Sequence, residues 1–121
     1  MKTITIAICT HNRADLLQRF LPVNIAALRS HPNVEILVVD NGSSDDTPAI
    51  VETMRVKAKA EGVLFRVVRE EVLGLSAARN RAISEFDSDL LAFLDDDAYI
   101  AESWPAAISE AFNTDPNLIA A

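Results

Sequence analysis

Short apolar runs alternate along this chain with longer segments whose apolar residues recur at helical spacing. The first run carries Ile4, Ile6 and Ile8 in alternation, which favours a β-strand, and three later runs are equally short. The predicted strands cover residues 3–9, 34–39, 63–68 and 90–94. The last of them, Leu-Leu-Ala-Phe-Leu, is apolar throughout, which predicts a strand buried on both faces of its sheet.

The segments between these strands carry helix signals. The first predicted helix covers residues 13–20, with a second piece that reaches residue 28, and the others cover residues 47–62, 75–83 and 104–112. We expect Asn12 to cap the first helix, and Pro22 to end or restart it because proline lacks an amide hydrogen. Residues 118–121 have the composition of a further strand. The alternation predicts one α/β domain over residues 1–121, with a parallel sheet covered by helices on both faces.

Composition narrows the classes of function. A chain of 121 residues can build a single core, and a net charge of −7 argues against a nucleic-acid backbone as partner. The single cysteine excludes an internal disulfide and suits a reducing compartment. The sequence has neither a signal-peptide cleavage site nor an apolar stretch of the ~18 residues that a membrane span needs. We therefore expect a cytoplasmic protein, with membrane association left open for a longer form of the chain.

Polar clusters follow three of the predicted strands, at the point where each strand ends. They are residues 10–13, 40–46 and 95–97. The carboxyl ends of parallel strands lie along one edge of a sheet, and ligands of open α/β sheets bind there. The sequence therefore predicts a functional site at this edge.

Two interpretations stay open for each cluster. The three adjacent carboxylates of residues 95–97 repel one another, so they indicate either a divalent cation or a solvated acidic turn. Arg13 and Arg79 could attract an anion or be surface charges. Asp40 could accept hydrogen bonds from a ribose or a base, or belong to a helix-capping turn. Cys9, at the end of a core strand, is interpreted as a small apolar residue.

Four segments of this chain resemble, in order, the motifs of family 2 glycosyltransferases of the GT-A fold. The opening strand and loop are Ile-Ala-Ile-Cys-Thr-His-Asn-Arg, at residues 6–13. The second strand and its turn are Glu-Ile-Leu-Val-Val-Asp-Asn-Gly-Ser-Ser-Asp-Asp-Thr, at residues 35–47. A helix start, Gly-Leu-Ser-Ala-Ala-Arg-Asn, and the aspartate motif, Phe-Leu-Asp-Asp-Asp, follow at residues 74–80 and 93–97. The chain is thus similar to the N-terminal half of such an enzyme, a Rossmann-like GT-A sheet truncated on its C-terminal side.

The resemblance implies a module that binds a nucleotide-diphosphate sugar, most often a UDP- or dTDP-sugar, for inverting transfer to an acceptor hydroxyl. It also implies Mg²⁺ or Mn²⁺ at the diphosphate. Asp97, together with Asp95, would ligate the metal, and Asp40 would contact the base. The residues expected to contact the nucleotide sugar are Thr10, Asn12, Arg13, Asp40, Arg79, Asp95 and Asp96. The role of Asp96 within this set is left open.

The chain departs from the family pattern in two respects. Asn41 stands where many relatives carry a second Asp, so this turn is less acidic. The sequence ends at Ala121, whereas in the family the acceptor-binding half and the usual catalytic base lie beyond this point. We therefore assign no catalytic residue, expect this module to be inactive alone, and expect self-association through the face that the other half would cover.

Two other classes of protein share parts of this pattern. A phosphoacceptor signalling domain places paired acids after its first strand, whereas here the strand ends Cys-Thr-His at residues 9–11. A nucleotidyltransferase would carry a glycine-rich basic loop at the same place, and residues 10–13 contain no glycine. Both alternatives are weaker than the glycosyltransferase interpretation.

Overall fold

The computed structural model describes residues 2–101 and 103–114, which form strands and helices in strict alternation. The elements are β1 (Ile4–Thr10), α1 (Ala14–Ala27), β2 (Val34–Asp40), α2 (Thr47–Ala60), β3 (Leu64–Arg69), α3 (Leu75–Glu85), β4 (Leu90–Phe93) and α4 (Trp104–Thr114). This order confirms the predicted alternation, and the strand predicted at residues 118–121 lies outside the described residues. None of the helices described is long and apolar enough to cross a membrane.

The strands form a parallel sheet in the order β3-β2-β1-β4. β1 and β2 pair along their whole length, from Ile4 opposite Val34 to Thr10 opposite Asp40. β4 pairs with β1 only as far as Phe93, which lies opposite Ala7. Because β1 continues beyond this point to Thr10, the chain that leaves β4 turns beside the last residues of β1.

Alternate residues of the central strands face two separate apolar clusters. Ile4, Ile6 and Ile8 of β1 lie in the larger cluster, together with the buried sides of α1 and α2. Ala7 lies in a smaller cluster on the other face, where Ala78 of α3 is fully buried against the sheet. Since successive strand residues point to opposite faces, the helices cover both faces, as predicted.

α1 runs without a break from Ala14 to Ala27 and contains Pro22, so the prediction that this proline ends or restarts the helix was wrong. An internal proline costs a helix about 3 kcal/mol, because it removes a hydrogen bond and crowds the preceding turn. Leu17, Leu21 and Ile25, on both sides of the proline, are buried in the larger cluster. Each buried side chain of this size contributes ~1.5–3 kcal/mol, so tertiary packing outweighs the local cost.

β4 is less buried than its apolar sequence predicted. Leu90, Leu91 and Ala92 are half-buried, and Phe93 is 44% exposed. The expectation of a strand covered on both faces was therefore wrong for the described residues. Within that part of the chain β1 is its only neighbouring strand, which leaves the other edge of β4 open.

Candidate functional site

The structure brings the three predicted polar clusters together at the carboxyl edge of the sheet. Thr10 and Asp40 are paired in register at the ends of β1 and β2. The backbone amide of Asn41 donates to the carbonyl oxygen of Thr10 at 2.8 Å. The hydroxyl of Thr10 donates to Oδ2 of Asp96 at 2.9 Å, which ties the acidic loop, defined here as residues 95–97, to the end of β1.

An open cleft of about 400 Å³ lies at this edge, on the α3 side of the sheet. Its walls are formed by Cys9, Thr10, His11, Arg13, Asn41, Leu75, Ala78 and Asp96. Thr10, Arg13 and Asp96 were predicted as site residues. His11 and Asn41 were not, although both stand within the polar clusters that follow β1 and β2.

Asn12 does not cap α1, contrary to our prediction, since that helix has no side-chain cap. Its backbone adopts a left-handed conformation with φ of 50°, which asparagine tolerates better than most residues. Oδ1 of Asn12 accepts hydrogen bonds from the amides of Ser44 and Asp45 at 2.8 and 3.3 Å. The amide of Asn12 donates to Oγ of Ser43 at 2.9 Å, so Asn12 joins the loop after β1 to the loop after β2.

Asp40 lies beneath the cleft edge and is 3% exposed. Its Oδ1 accepts from the amide of Ser43 at 3.2 Å, and its Oδ2 pairs with a guanidinium nitrogen of Arg69 at 3.1 Å. Arg69 lies opposite Asp40 in the β2–β3 register and was missed by the sequence analysis. Both carboxylate oxygens therefore have internal partners, and contact with a base remains a prediction for Asp40.

The side chain of Asn41 uses both of its polar atoms in hydrogen bonds. Its amide nitrogen donates to the carbonyl oxygens of Glu70 and Val72 at 3.0 and 2.8 Å. Its Oδ1 accepts from the amide of Gly74 at 3.0 Å. Asn41 thereby fixes the loop that leads from β3 into α3. An aspartate could accept the third bond but, when ionised, could not donate the other two.

The acidic loop presents its three carboxylates differently. Asp96 is half-buried and bonded to Thr10, whereas Asp95 and Asp97 are exposed. Neither exposed carboxylate has a side-chain hydrogen bond or ion pair within the described residues. The carbonyl oxygen of Asp95 accepts from the amide of Ala98 at 3.2 Å, which closes the turn.

We tested this donor set against the divalent cation that the family resemblance implies. In the part of the chain that the structure describes, no three potential ligands among His, Cys, Asp and Glu already cluster around a common point. Mg²⁺, however, is usually held by one or two carboxylates, with water and substrate phosphates completing its shell. The free oxygens of Asp95 and Asp97 beside a polar cleft fit that requirement.

Arg79 is exposed on α3, with its guanidinium carbon 5.7 Å from the ring centroid of Phe93. It does not line the cleft, but its positive charge favours the thiolate form of Cys9, which does. Burial raises the pKa of the Cys9 thiol, and Arg79 offsets part of that effect. Arg79 thus lies beside the cleft, whereas Arg13 lines it.

The parallel α/β sheet and the polar cleft at its carboxyl edge place this chain among the α/β proteins that bind ligands at the ends of their strands. The sequence matches the family model "Glycosyl transferase family 2" over residues 5–121, and the chain therefore belongs to this family. Glycosyltransferase AglE of Haloferax volcanii is 34% identical over 103 residues, which cover 84% of this chain and 32% of that protein. Poly-beta-1,6-N-acetyl-D-glucosamine synthase of Staphylococcus aureus is 28% identical over 118 residues, 98% of this chain and 27% of that protein.

Solved structures show the same fold. Mannosyltransferase PcManGT from Pyrobaculum calidifontis, in complex with GDP-Man and Mn²⁺, matches with a TM-score of 0.80 and 25% identity over 97% of this chain and 34% of its own. S. aureus TarS 1-349 in complex with UDP-GlcNAc matches with a TM-score of 0.69 and 22% identity over 93% of this chain and 31% of its own. These likenesses confirm the predicted GT-A fold. The chain spans about a third of the length of these relatives, or less.

Proposed function

We propose that this chain is the donor-binding part of a glycosyltransferase. It binds a nucleotide-diphosphate sugar in the cleft, together with Mg²⁺ or Mn²⁺ on Asp97 and Asp95, for inverting transfer to an acceptor hydroxyl. The observation that carries this proposal is a pair of exposed carboxylates, without side-chain partners in the described part of the chain, beside a cleft lined by Thr10, Arg13 and Asp96. The complexes of PcManGT with GDP-Man and Mn²⁺ and of TarS with UDP-GlcNAc support it.

The charges around the cleft suit a diphosphate. Arg13 on the wall and Arg79 beside it provide positive charge for the phosphate oxygens. The bound cation would neutralise the negative charge that develops on the leaving nucleotide diphosphate. Thr10 holds Asp96 in place, so that the acidic loop stays at the cleft despite the repulsion among its carboxylates. We assign no catalytic base among the described residues.

Calorimetric titration of the whole chain with UDP, dTDP and GDP, each with and without Mn²⁺, tests the proposal. We expect tighter binding with the metal, and a preference for the pyrimidine nucleotides. A sample that is folded by circular dichroism but binds none of the three in a metal-dependent way would refute the proposed function.

Asp97→Ala and Asp46→Ala form a matched pair of variants for the same titration. Each removes one exposed carboxylate, and neither side chain has a hydrogen bond or ion pair within the described residues. We expect Asp97→Ala to abolish the effect of Mn²⁺ and Asp46→Ala to preserve it. Equal losses in both variants would indicate a general effect of charge rather than a metal ligand.

A further inference from the structure

The side chain of Asn24 is a buried amide in the last turn of α1, 1% exposed. Its Nδ2 donates to the carbonyl oxygen of Ala98 at 3.0 Å, and its Oδ1 accepts from the amide of Ile100 at 2.8 Å. These partners lie 74 and 76 residues further along the chain. A buried polar side chain is costly unless it is bonded, and Asn24 uses both of its polar atoms on one short backbone segment.

That segment, residues 98–100, directly follows the acidic loop. Ala98 is the residue whose amide closes the turn onto Asp95, so Asn24 holds the same residue that shapes the loop. Phe20, one helical turn before Asn24, stacks on Tyr99 with ring centroids 4.4 Å apart. α1 therefore fixes the exit of the acidic loop through two independent contacts, one polar and one aromatic.

On its other side the loop is held by two hydrogen bonds, from the amide of Leu94 to the carbonyl oxygen of Ala7 at 2.9 Å and from the hydroxyl of Thr10 to Asp96. Asp95 and Asp97 have no side-chain partners in the described part of the chain, so the backbone alone sets where their carboxylates lie. Like charges this close favour an opened loop. The anchorage by Asn24 opposes that opening.

We propose that Asn24 is a positioning residue for the acidic loop. By binding the backbone at Ala98 and Ile100, it holds the acidic loop at the cleft, where Asp95 and Asp97 would bind a divalent cation beside a nucleotide diphosphate. This inference rests on the proposed function. Loss of a hydrogen bond that orients a metal ligand commonly lowers metal affinity by about 10–100-fold. Asn24 would orient the ligands indirectly, through the backbone that follows the acidic loop.

Asn24→Leu tests the inference, because leucine has a similar size but neither hydrogen-bonding atom. The measurement is the Mn²⁺ concentration that half-saturates the chain at saturating UDP, together with the affinity for UDP without metal. We expect the half-saturating Mn²⁺ concentration to rise about tenfold. We expect the metal-free affinity for UDP to stay within about twofold, which a general loss of structure would not allow.

Asn33→Ala is the matched control. The side chain of Asn33 also donates to a backbone carbonyl, that of Lys2 at 2.8 Å, but at the opposite end of the sheet. We expect this variant to lower the melting temperature and leave Mn²⁺ binding unchanged. Should Asn24→Leu fail to fold, Asn24→Ala, which adds no bulk to the core, takes its place in the same titration.

The outcomes separate the two proposals. If the parent chain shows no Mn²⁺-dependent binding of UDP, dTDP or GDP, the proposed function fails and the positioning role fails with it. If the parent chain binds and a folded Asn24 variant needs no more Mn²⁺ than the parent, the positioning role alone is overturned. A rise of similar size in Asn33→Ala would overturn it as well, because the effect would then follow from lower stability.

Discussion

Replacing Asn41 by aspartate should destabilise the protein, although the two side chains have the same size. Two of the three hydrogen bonds of Asn41 use its amide nitrogen as donor, to the carbonyl oxygens of Glu70 and Val72. An ionised aspartate has no donor and would place negative charge against both carbonyl oxygens. It could retain the third bond, from the amide of Gly74.

The size of the effect follows from these contacts. Each lost hydrogen bond costs about 1 kcal/mol, so Asn41→Ala, which loses all three, should cost roughly 3 kcal/mol, and the loss of two bonds in Asn41→Asp should cost roughly 2 kcal/mol. The repulsion in Asn41→Asp should raise the pKa of the new carboxyl above its ordinary value of about 3.9, by one unit or more. Each unit is worth about 1.4 kcal/mol, which brings the expected cost near 3 kcal/mol at pH 7.5.

The raised pKa gives this variant a pH dependence of defined sign. The folded state of Asn41→Asp binds its proton more tightly than the unfolded state, so its stability is greatest below the unfolded pKa of about 3.9. That extra stability is lost as the pH rises through the higher pKa of the folded state. The free-energy difference between the parent chain and Asn41→Asp should therefore grow between pH 4 and pH 7.5.

Urea unfolding at both pH values, followed by circular dichroism, measures the difference. Asn80→Asp is the control for the added charge, since Asn80 is exposed on α3 and its side chain has no hydrogen bond within the described residues. An Asn41→Asp variant as stable as the parent chain at pH 7.5 would refute the role assigned to this side chain. A cost equal at both pH values would refute the repulsion.

Two further predictions concern two glycine turns and the thiol of Cys9. Gly42 and Gly62 have φ of +65° and +76°, so alanine at either should cost about 1 kcal/mol. A Cβ on Gly42 would lie 2.7 Å from Cδ2 of Leu73, but that side chain is 66% exposed and can move aside, so the two losses in urea unfolding should be similar, and a much larger loss for Gly42→Ala would contradict this freedom of Leu73. Burial raises the pKa of Cys9, so iodoacetamide should modify it at pH 8 more slowly than it modifies free cysteine. Arg79→Ala should slow the reaction further, and a faster reaction would contradict the assigned influence of this charge.

Much of the fold could be predicted because it depends on local pattern. The alternation of Ile4, Ile6 and Ile8 defines a strand whose two faces meet different clusters, and the repeated alternation of strand with helix defines a parallel sheet. The polar clusters at the strand ends then had to converge on one edge. Pro22 was misjudged because a local rule was applied where the buried leucines around it decide the outcome.

The contacts that shape the site could not be predicted in the same way, because they join residues far apart in sequence. The ion pair of Asp40 with Arg69 depends on the exact register of β2 and β3, which the sequence pattern does not specify. Asn12 was expected to serve its own helix, yet its side chain bonds a loop that lies more than thirty residues away. Apolar periodicity reports which face is buried, and it carries no information about the partners of a polar side chain.

Three asparagine side chains hold the loops that follow the strands at this edge of the sheet. Asn12 holds the loop after β2, Asn41 the loop after β3, and Asn24 the segment after β4. An amide can donate and accept without charge, so these side chains fasten the loops without adding to the net charge of −7. Asp95 and Asp97 of the acidic loop then provide carboxylates beside the cleft that have no side-chain partner among the residues the structure describes. At position 41, where the family resemblance led us to expect an acid, the neutral amide of Asn41 thus belongs with the side chains that hold the loops, whereas Asp95 and Asp97 are available for a ligand.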